Sequence, residues 1–301
     1  MIKKLSFVIL LGLVSACVSW ASSVEYAKVN IGRTVAHTVT INLNDPNVRV
    51  TVALAKGGAG RSESFKSMIG RVQPAAAITG TFFDTKTLIP TGDIAMYGTL
   101  VHTGCIGSAL CIDSDNKASI VSLRKGRENK WDGYETVLCA GPTLVSNGRV
   151  AIALKHEGFR NSLNAPARRT AVGITKSGKL LIAAINRDTS LYAIAKVMVE
   201  LNTVEALCLD GGSSTGFYHQ GRYFALPTRS LTNCLVVYSK VQTYQMAKAE
   251  LAPAKLFAKA DTKPTFDLQK VVSSIPIAIS DSIFQTLQGK WNYAGFMQGY
   301  E

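Results

Sequence analysis

The sequence predicts an α+β fold, made mainly of antiparallel strands and hairpins with a few packing helices. Short apolar runs of strand length recur along most of the chain. Turn residues of the hairpin type, such as Asn147-Gly148, separate several of these runs. Few segments space their apolar residues at helical intervals. Many strands linked mostly by hairpins, with few helices, indicate α+β.

The first 21 residues have the layout of a secretory signal peptide. Two lysines precede an apolar run at residues 7–14, and small residues follow it. This run is shorter than the about 20 residues that cross a bilayer. Residues 14–17 resemble a lipobox with Cys17 as the lipidated residue, whereas residues 19–21 offer an ordinary cleavage site, and both alternatives stay open. We therefore expect export, to the periplasm, to an outer-membrane tether at Cys17, or to the medium.

Composition indicates one sizeable domain. The chain has 301 residues, of which 47% are hydrophobic and 18% charged, and this is enough for a single large core. We place the domain at residues 22–240 and a helical or partly disordered extension at residues 241–301. The formal net charge of +13 favours anionic partners, or else serves solubility. Nucleic acid is not predicted, since no run of five basic residues occurs.

Cysteine usage gives no metal signature. Five cysteines follow Cys17, so at least one is expected to be free. Cys105 and Cys111 flank a short loop and are the best pairing, whereas the others lie in apolar strand-like runs and are expected to be small buried hydrophobes: Cys139, Cys208 and Cys234. The spacing C-x-x-C is absent. No cofactor is predicted, and a divalent cation stays an open alternative.

The first half of the domain reads mainly as strands. Residues 35–43 and 48–54 both read as strands and flank a turn at residues 44–47. The second run alternates apolar and polar residues, and the whole segment predicts a hairpin. A short helix is predicted at residues 63–69, ending near Gly70. Further strands are predicted at residues 74–83, 94–101, 118–123 and 137–145.

The second half adds a hairpin and one good amphipathic helix. Residues 170–175 and 180–185 flank a Lys-Ser-Gly-Lys turn. Residues 190–201 space their apolar side chains as a helix does. Strands are then predicted at residues 206–209 and 235–238.

Three segments place glycines and polar residues at the ends of apolar runs, where sites are usually built: residues 79–84, 167–173 and 209–215. In the third, Asp210 precedes two glycines whose N–H groups could face an anion. The alternative is an ordinary turn in which Asp210 caps backbone amides. Arg168, Arg169 and Arg229 could each offer forked donors to a phosphate, or could be surface charges.

The order of these motifs resembles the phosphodiester glycosidase family, over roughly residues 33–238. The motifs that carry the resemblance are the strand pair ending near Ala55, residues 78–84, Ala140-Gly141-Pro142-Thr143-Leu144-Val145 with Asn147-Gly148, Arg169-Thr170-Ala171-Val172-Gly173, Leu209-Asp210-Gly211-Gly212-Ser213-Ser214, and Arg229 with Asn233. The resemblance implies an exported hydrolase that cleaves sugar-1-phosphodiesters in envelope or extracellular glycans.

The resemblance and the residue chemistry together predict roles for each position. A phosphate leaves as a stable anion, so arginines and amides can replace much of a general acid's work. Asp210 is predicted to act at the anomeric carbon as base, nucleophile or electrostatic stabiliser, and Asp84 is the second-carboxylate candidate. The predicted substrate-binding residues are Thr79, Gly80, Arg169, Gly211, Gly212, Ser213, Arg229 and Asn233.

Two departures from the family pattern keep another function open. Thr79 stands where the family usually has Asn, and Thr228 stands where an acidic residue commonly precedes the late arginine. One hydroxyl cannot reproduce both halves of an amide. Altered substrate choice or reduced activity is an alternative, as is a non-catalytic envelope lipoprotein that binds anionic glycans. The expected partner is a sugar-1-phosphodiester or phosphorylated glycan, and the membrane is reached only through a lipid anchor.

Overall fold

A computed structural model of the protein describes residues 22–104, 106–123 and 130–251. These residues form three β-sheets with three α-helices, which confirms the α+β prediction. Strand pairs within the sheets are antiparallel. Within these ranges no helix combines the length and apolar character needed to span a bilayer. The predicted signal peptide, with Cys17, lies outside the described residues.

The strands and helices follow one another along the chain with short connections. The strands are β1 (Val24–Ile31), β2 (Thr34–Ile41), β3 (Arg49–Leu54), β4 (Ala76–Thr79), β5 (Ile94–Met96), β6 (Thr99–His102), β7 (Ser108–Asp113), β8 (Ala118–Ser122), β9 (Tyr134–Ala140), β10 (Thr143–Ser146), β11 (Arg149–Val150), β12 (Ala167–Thr175), β13 (Leu180–Thr189), β14 (Thr203–Leu209), β15 (Phe217–His219), β16 (Arg222–Ala225) and β17 (Asn233–Tyr238). The helices are α1 (Phe65–Val72), α2 (Leu191–Glu200) and α3 (Val241–Leu251).

The three sheets differ in size and strand order. The first sheet has the order β1-β2-β13-β12-β14-β10-β11, the second β16-β15-β4-β17-β3, and the third β6-β5-β9-β7-β8. Two predicted hairpins are confirmed, β12–β13 and β10–β11. The second turns through Asn147 and Gly148, both at positive φ, which is the backbone that a two-residue hairpin turn prefers.

The hairpin predicted for residues 35–54 is wrong. β2 pairs with β1 and β13 in the first sheet, whereas β3 pairs with β17 in the second. β3 is buried along almost its whole length, so both of its faces need cover, and a two-stranded hairpin cannot supply that cover. The strand predicted at residues 137–145 is likewise divided at Pro142, between β9 in the third sheet and β10 in the first.

The helices pack on the sheets through apolar stripes. Ser64 and Ser190 cap the N-termini of α1 and α2, each accepting a hydrogen bond from a backbone N–H three residues later. α2 covers the outer face of the first sheet, in a core cluster separate from the main one. α3 is the first part of the predicted extension and inserts Tyr244 and Leu251 into the main core.

The described cysteines are buried free thiols: Cys111, Cys139, Cys208 and Cys234. Each lies within a strand, as expected for small hydrophobes. Cys111 therefore does not form the bridge predicted with Cys105, a residue outside the described ranges. Burial raises the pKa of all four thiols, that of Cys111 to about 12.

Candidate active site

The three predicted segments converge where the first and second sheets adjoin. β4 and β14 end there, and their antiparallel neighbours β12, β15 and β17 begin there. The Asp210 N–H, just after β14, donates to the Gly80 carbonyl just after β4, at 3.0 Å. The Thr170 hydroxyl of β12 donates to the Asp210 carbonyl at 2.5 Å. Residues from both sheets are therefore held around Asp210.

Asp210 is a partly buried carboxylate with an altered proton affinity. Its Oδ1 accepts a hydrogen bond from Gly211 N at 2.9 Å. The Ser214 hydroxyl and the nearby Arg229 charge also favour the ionised form. Burial outweighs these effects and raises the pKa of Asp210 to about 6. A carboxyl that exchanges its proton near neutral pH is typical of catalytic sites.

Close backbone packing explains two of the predicted glycines. A Cβ at Gly80 would lie 1.9 Å from Asn233 Oδ1, and a Cβ at Gly211 would lie 2.5 Å from the Arg168 carbonyl oxygen. Asn233 Oδ1 accepts from Thr81 N at 2.8 Å, so this buried amide holds the end of β4. The Gly211 N–H, predicted to face an anion, donates to Asp210 instead. Gly80, Gly211 and Asn233 thus determine the backbone geometry around Asp210.

Thr79 ties the end of β4 to the turn after Asp210. Its hydroxyl donates to the Ser214 carbonyl at 2.5 Å and accepts from Gly216 N at 2.7 Å. Thr79 is buried, and both hydrogen-bonding functions of its hydroxyl are in use. The residue predicted to contact substrate thus supports the loop that carries Asp210.

Arg229 and Ser213 form the accessible side of the site. Arg229 is partly buried, and its guanidinium carbon lies 5.1 Å from the centre of the Phe83 ring. Ser213 is exposed, and its carbonyl accepts from Thr228 N at 2.9 Å. This bond joins the turn of residues 212–214 to the segment that carries Arg229, whose charge acts on Asp210. Gly212, at φ +55°, forms the bend.

Arg169 has a different environment from the one predicted. It is buried, and its guanidinium donates to the carbonyls of Thr189 at 3.1 Å, Leu163 at 2.9 Å and Ala165. Successive side chains of β12 point to opposite faces of the sheet, so Arg169 faces away from Thr170. Two of its three nitrogens are committed to the backbone, and the structure lends no support to a phosphate-binding role.

Asp84 caps a local turn. Its Oδ1 accepts from Thr87 N at 2.7 Å, Lys86 N at 2.9 Å and the Thr87 hydroxyl at 3.0 Å. The backbone hydrogen bond from Thr87 is the main reason that the pKa of Asp84 lies below its ordinary value. Asp84 is therefore ionised and partly engaged, and its role as second carboxylate stays a prediction.

Two further residues are Ser214, which belongs to the predicted motif but was not among the predicted substrate-binding residues, and Glu157, which the sequence did not single out. Ser214 is buried and hydrogen-bonds Asp210, whereas its predicted neighbour Ser213 is exposed. Glu157 Oε2 accepts from Thr143 N at 2.9 Å and from the Ser108 hydroxyl at 3.1 Å. The family motif at residues 140–145 could have drawn attention to its surroundings, but no spacing rule points to Glu157 itself.

The side chains around Asp210 determine which kind of ligand the site suits. Within the described ranges, no three side chains of the metal-ligating types cluster together. The site offers the Asp210 carboxylate with its raised pKa, the Arg229 guanidinium near it and the exposed Ser213 hydroxyl. These groups suit a ligand with an electrophilic carbon next to an anionic group.

The family of phosphodiester glycosidases has a sequence model that matches residues 73–238, more than half of the chain. The chain belongs to the phosphodiester glycosidase family. The match includes the Asp210 turn, Arg229 and the end of β4. Belonging to this family confirms the resemblance on which the site prediction was based.

Two solved structures show the same fold at low sequence identity. The catalytic domain of zebrafish N-acetylglucosamine-1-phosphodiester alpha-N-acetylglucosaminidase, auto-inhibited by its pro-peptide, is 20% identical with a TM-score of 0.58, over 71% of this chain and 82% of that one. A hypothetical protein from Synechocystis is 18% identical with a TM-score of 0.55, over 71% of this chain and 61% of that one. The chain thus spans less than two thirds of the Synechocystis protein. No curated protein matches the sequence.

Proposed function

We propose that the protein is an exported hydrolase that cleaves the glycosidic bond of sugar-1-phosphodiesters in envelope or extracellular glycans. The observation that carries the proposal is the placement of Asp210, whose pKa burial raises to about 6, beside Arg229. Membership of the phosphodiester glycosidase family supports the reaction class. The signal-peptide layout of residues 1–21 supports export.

The proposed mechanism divides the work between Asp210 and the cationic side of the site. The bond between the anomeric carbon and the phosphate oxygen breaks, which releases a phosphate monoester anion that keeps its alcohol, and water completes the oxocarbenium-like sugar. Ionised Asp210 stabilises or attacks the anomeric carbon, or deprotonates the attacking water. Arg229 holds the charge that develops on the phosphate, with the Ser213 hydroxyl as an additional donor.

The first prediction is that Asp210→Asn abolishes most turnover while the fold is kept. The amide retains an oxygen for the Gly211 N–H but carries no charge for the anomeric centre. We expect a fall in kcat of at least about a hundredfold, the usual effect of removing an acid–base group. The assay follows sugar release from a small panel of sugar-1-phosphodiesters, with circular dichroism to verify folding.

The matched control for this experiment is Asp115→Asn, the same chemical change at an exposed turn between β7 and β8. It should leave turnover unchanged. Near-normal turnover of Asp210→Asn would remove Asp210 from the mechanism.

A second function is favoured by the engaged state of several predicted ligands. Thr79 and Arg169 both spend their donors on backbone carbonyls, so fewer groups remain to hold a transition state. The protein could then bind anionic envelope glycans without hydrolysing them. An enzyme releases sugar continuously, whereas a binder saturates with its ligand and releases none.

A further inference from the structure

A second concave surface lies beside β1 and β16. It has a volume of about 570 Å³. Its walls include residues of β1, β15, β16 and the β15–β16 turn: Glu25, Tyr26, His219, Gln220, Arg222 and Phe224. We call it the β1–β16 groove. Its volume falls in the range of small-molecule sites, and the catalytic proposal uses none of its side chains.

Aromatic rings make up one wall of the groove. The Tyr26 ring stacks on Phe224 with 4.1 Å between ring centres, and the His219 ring lies 5.9 Å from Tyr26. Tyr26, Phe224 and His219 are all partly exposed. Tyr26 and His219 use their polar atoms within the protein, toward His37 and the Val24 carbonyl. What the three rings offer to a ligand is therefore an apolar surface, which suits the C–H face of a sugar ring.

Arg222 gives the groove a cationic end. Its guanidinium carbon lies 5.0 Å from the centre of the Phe224 ring, and a guanidinium over a ring can still donate from its edge to an anion. Arg222 is exposed, and none of the ion pairs found among the described residues involves it. Glu25 is the acidic side chain of the groove and would bind hydroxyls rather than an anion.

A chain of contacts connects the wall of the groove with the backbone beside Asp210. Asn186 Nδ2 donates to the Phe224 carbonyl at 3.4 Å, and Arg168 donates to the Leu226 carbonyl at 3.2 Å. The Arg168 backbone in turn packs against Gly211. Phe224 and Arg229 are five residues apart, so their Cα atoms lie within about 18 Å of each other. A glycan of a few units could contact both places.

We propose that the β1–β16 groove binds a second, negatively charged sugar unit of the glycan, with the ring against Tyr26 and Phe224 and the anionic group on Arg222. The substrate is then a chain with repeated anionic groups and not a single sugar phosphodiester. Only this extension to the substrate rests on the proposed function, because binding of a sugar phosphate in the groove does not require catalysis.

The test is an NMR titration of the protein with glucose 6-phosphate, with glucose and inorganic phosphate as separate arms. We expect saturable shifts of the Tyr26, Phe224 and His219 ring signals with the sugar phosphate, and smaller shifts with either part alone. Arg222→Gln should weaken binding in the groove about tenfold, the effect of losing one charge-assisted hydrogen bond. Arg229→Gln, the matched change at the candidate active site, should leave these shifts unaltered.

Three results would overturn the proposal: ring signals that do not move, equal shifts with phosphate alone, or shifts that persist unchanged in Arg222→Gln. Since Arg222 is exposed, its replacement is not expected to affect folding. The readout also separates the two proposals. If the protein shows the groove shifts but releases no sugar, only the proposed hydrolysis is contradicted. If it releases sugar but shows no groove shifts, only the groove proposal is contradicted.

Discussion

Asp210 determines the pH range in which the site can work. Every role proposed for it, as base, nucleophile or stabiliser, requires the ionised form. Burial raises its pKa to about 6, and the Arg229 charge opposes this shift. The carboxylate is therefore mostly ionised near pH 7, but a slightly acidic medium would protonate it.

A pH profile of activity tests this dependence. We expect kcat/KM to rise with pH to a plateau above about pH 6, because this parameter reports the ionisation of the free enzyme. Arg229→Gln should move the acidic limb to higher pH, by less than about one unit, since loss of a nearby positive charge favours the protonated carboxyl. The profile is measured at substrate concentrations well below KM.

An unmoved limb in Arg229→Gln would contradict the electrostatic coupling between the two residues. Arg187→Gln is the control, because Arg187 is an exposed arginine of β13.

Individual site residues could be predicted from the sequence only in part. Asp210 was identifiable because it stands between an apolar run and two glycines in a motif that carries the family resemblance. Which of two adjacent serines faces it was not, because the short 3₁₀ turn at Gly212–Ser214 buries Ser214 and exposes Ser213. The orientation of Arg169 likewise depends on strand register, because a shift of one residue would turn its side chain to the other face of the sheet.

At the level of elements, Arg169 connects β12 to the segment that precedes it and to the end of β13. Its donors reach the short 3₁₀ turn at Asn161–Asn164, the residue after it, and the end of β13. One buried guanidinium thus hydrogen-bonds backbone carbonyls of the segment before β12 and of β13. The cost of burial is offset because these hydrogen bonds are charge-assisted.

Arg169→Met should therefore reduce stability more than substrate affinity. Loss of the charge-assisted hydrogen bonds is expected to lower the free energy of unfolding by about 3 kcal/mol. Urea unfolding measures this change, and KM of the folded variant should stay close to that of the wild type. Arg187→Met, at an exposed site of β13, should be close to neutral.

A normal unfolding curve together with a raised KM would instead restore Arg169 as a phosphate ligand.

Elements with local signals could be predicted, and pairings between distant strands could not. The β12–β13 and β10–β11 hairpins are specified by their turns, and α2 by its capping serine and apolar stripe. β2 and β3 are also neighbours in sequence, but they enter different sheets because each is paired with a strand far along the chain. Nothing local in residues 35–54 encodes β13 or β17.

The whole molecule pays for the charge state of Asp210 with part of its stability. The folded pKa of about 6 lies above the ordinary value of 3.8. The folded protein therefore binds this proton more tightly than the unfolded chain does, and stability is lost as pH rises from about 4 through 6. The shift corresponds to at most about 3 kcal/mol, since each pKa unit is worth about 1.4 kcal/mol.

Asp210→Asn should remove this loss. We expect the variant to be more stable than the wild type at about pH 8, by up to about 3 kcal/mol, and equally stable at about pH 4, where the wild-type carboxyl is protonated. Urea unfolding at the two pH values measures both differences. A difference of the same size at both would show that the substitution acts through packing, and Asp115→Asn serves as the exposed control.

The buried thiols have a consequence for how the fold responds to reducing conditions. Cys111, Cys139, Cys208 and Cys234 lie inside strands, and burial keeps them in the unreactive protonated form. As far as these four are concerned, assembly needs no oxidant and no isomerase. The strands that carry these four thiols pack without a disulfide among them, so a reducing agent has no bond to break at these positions.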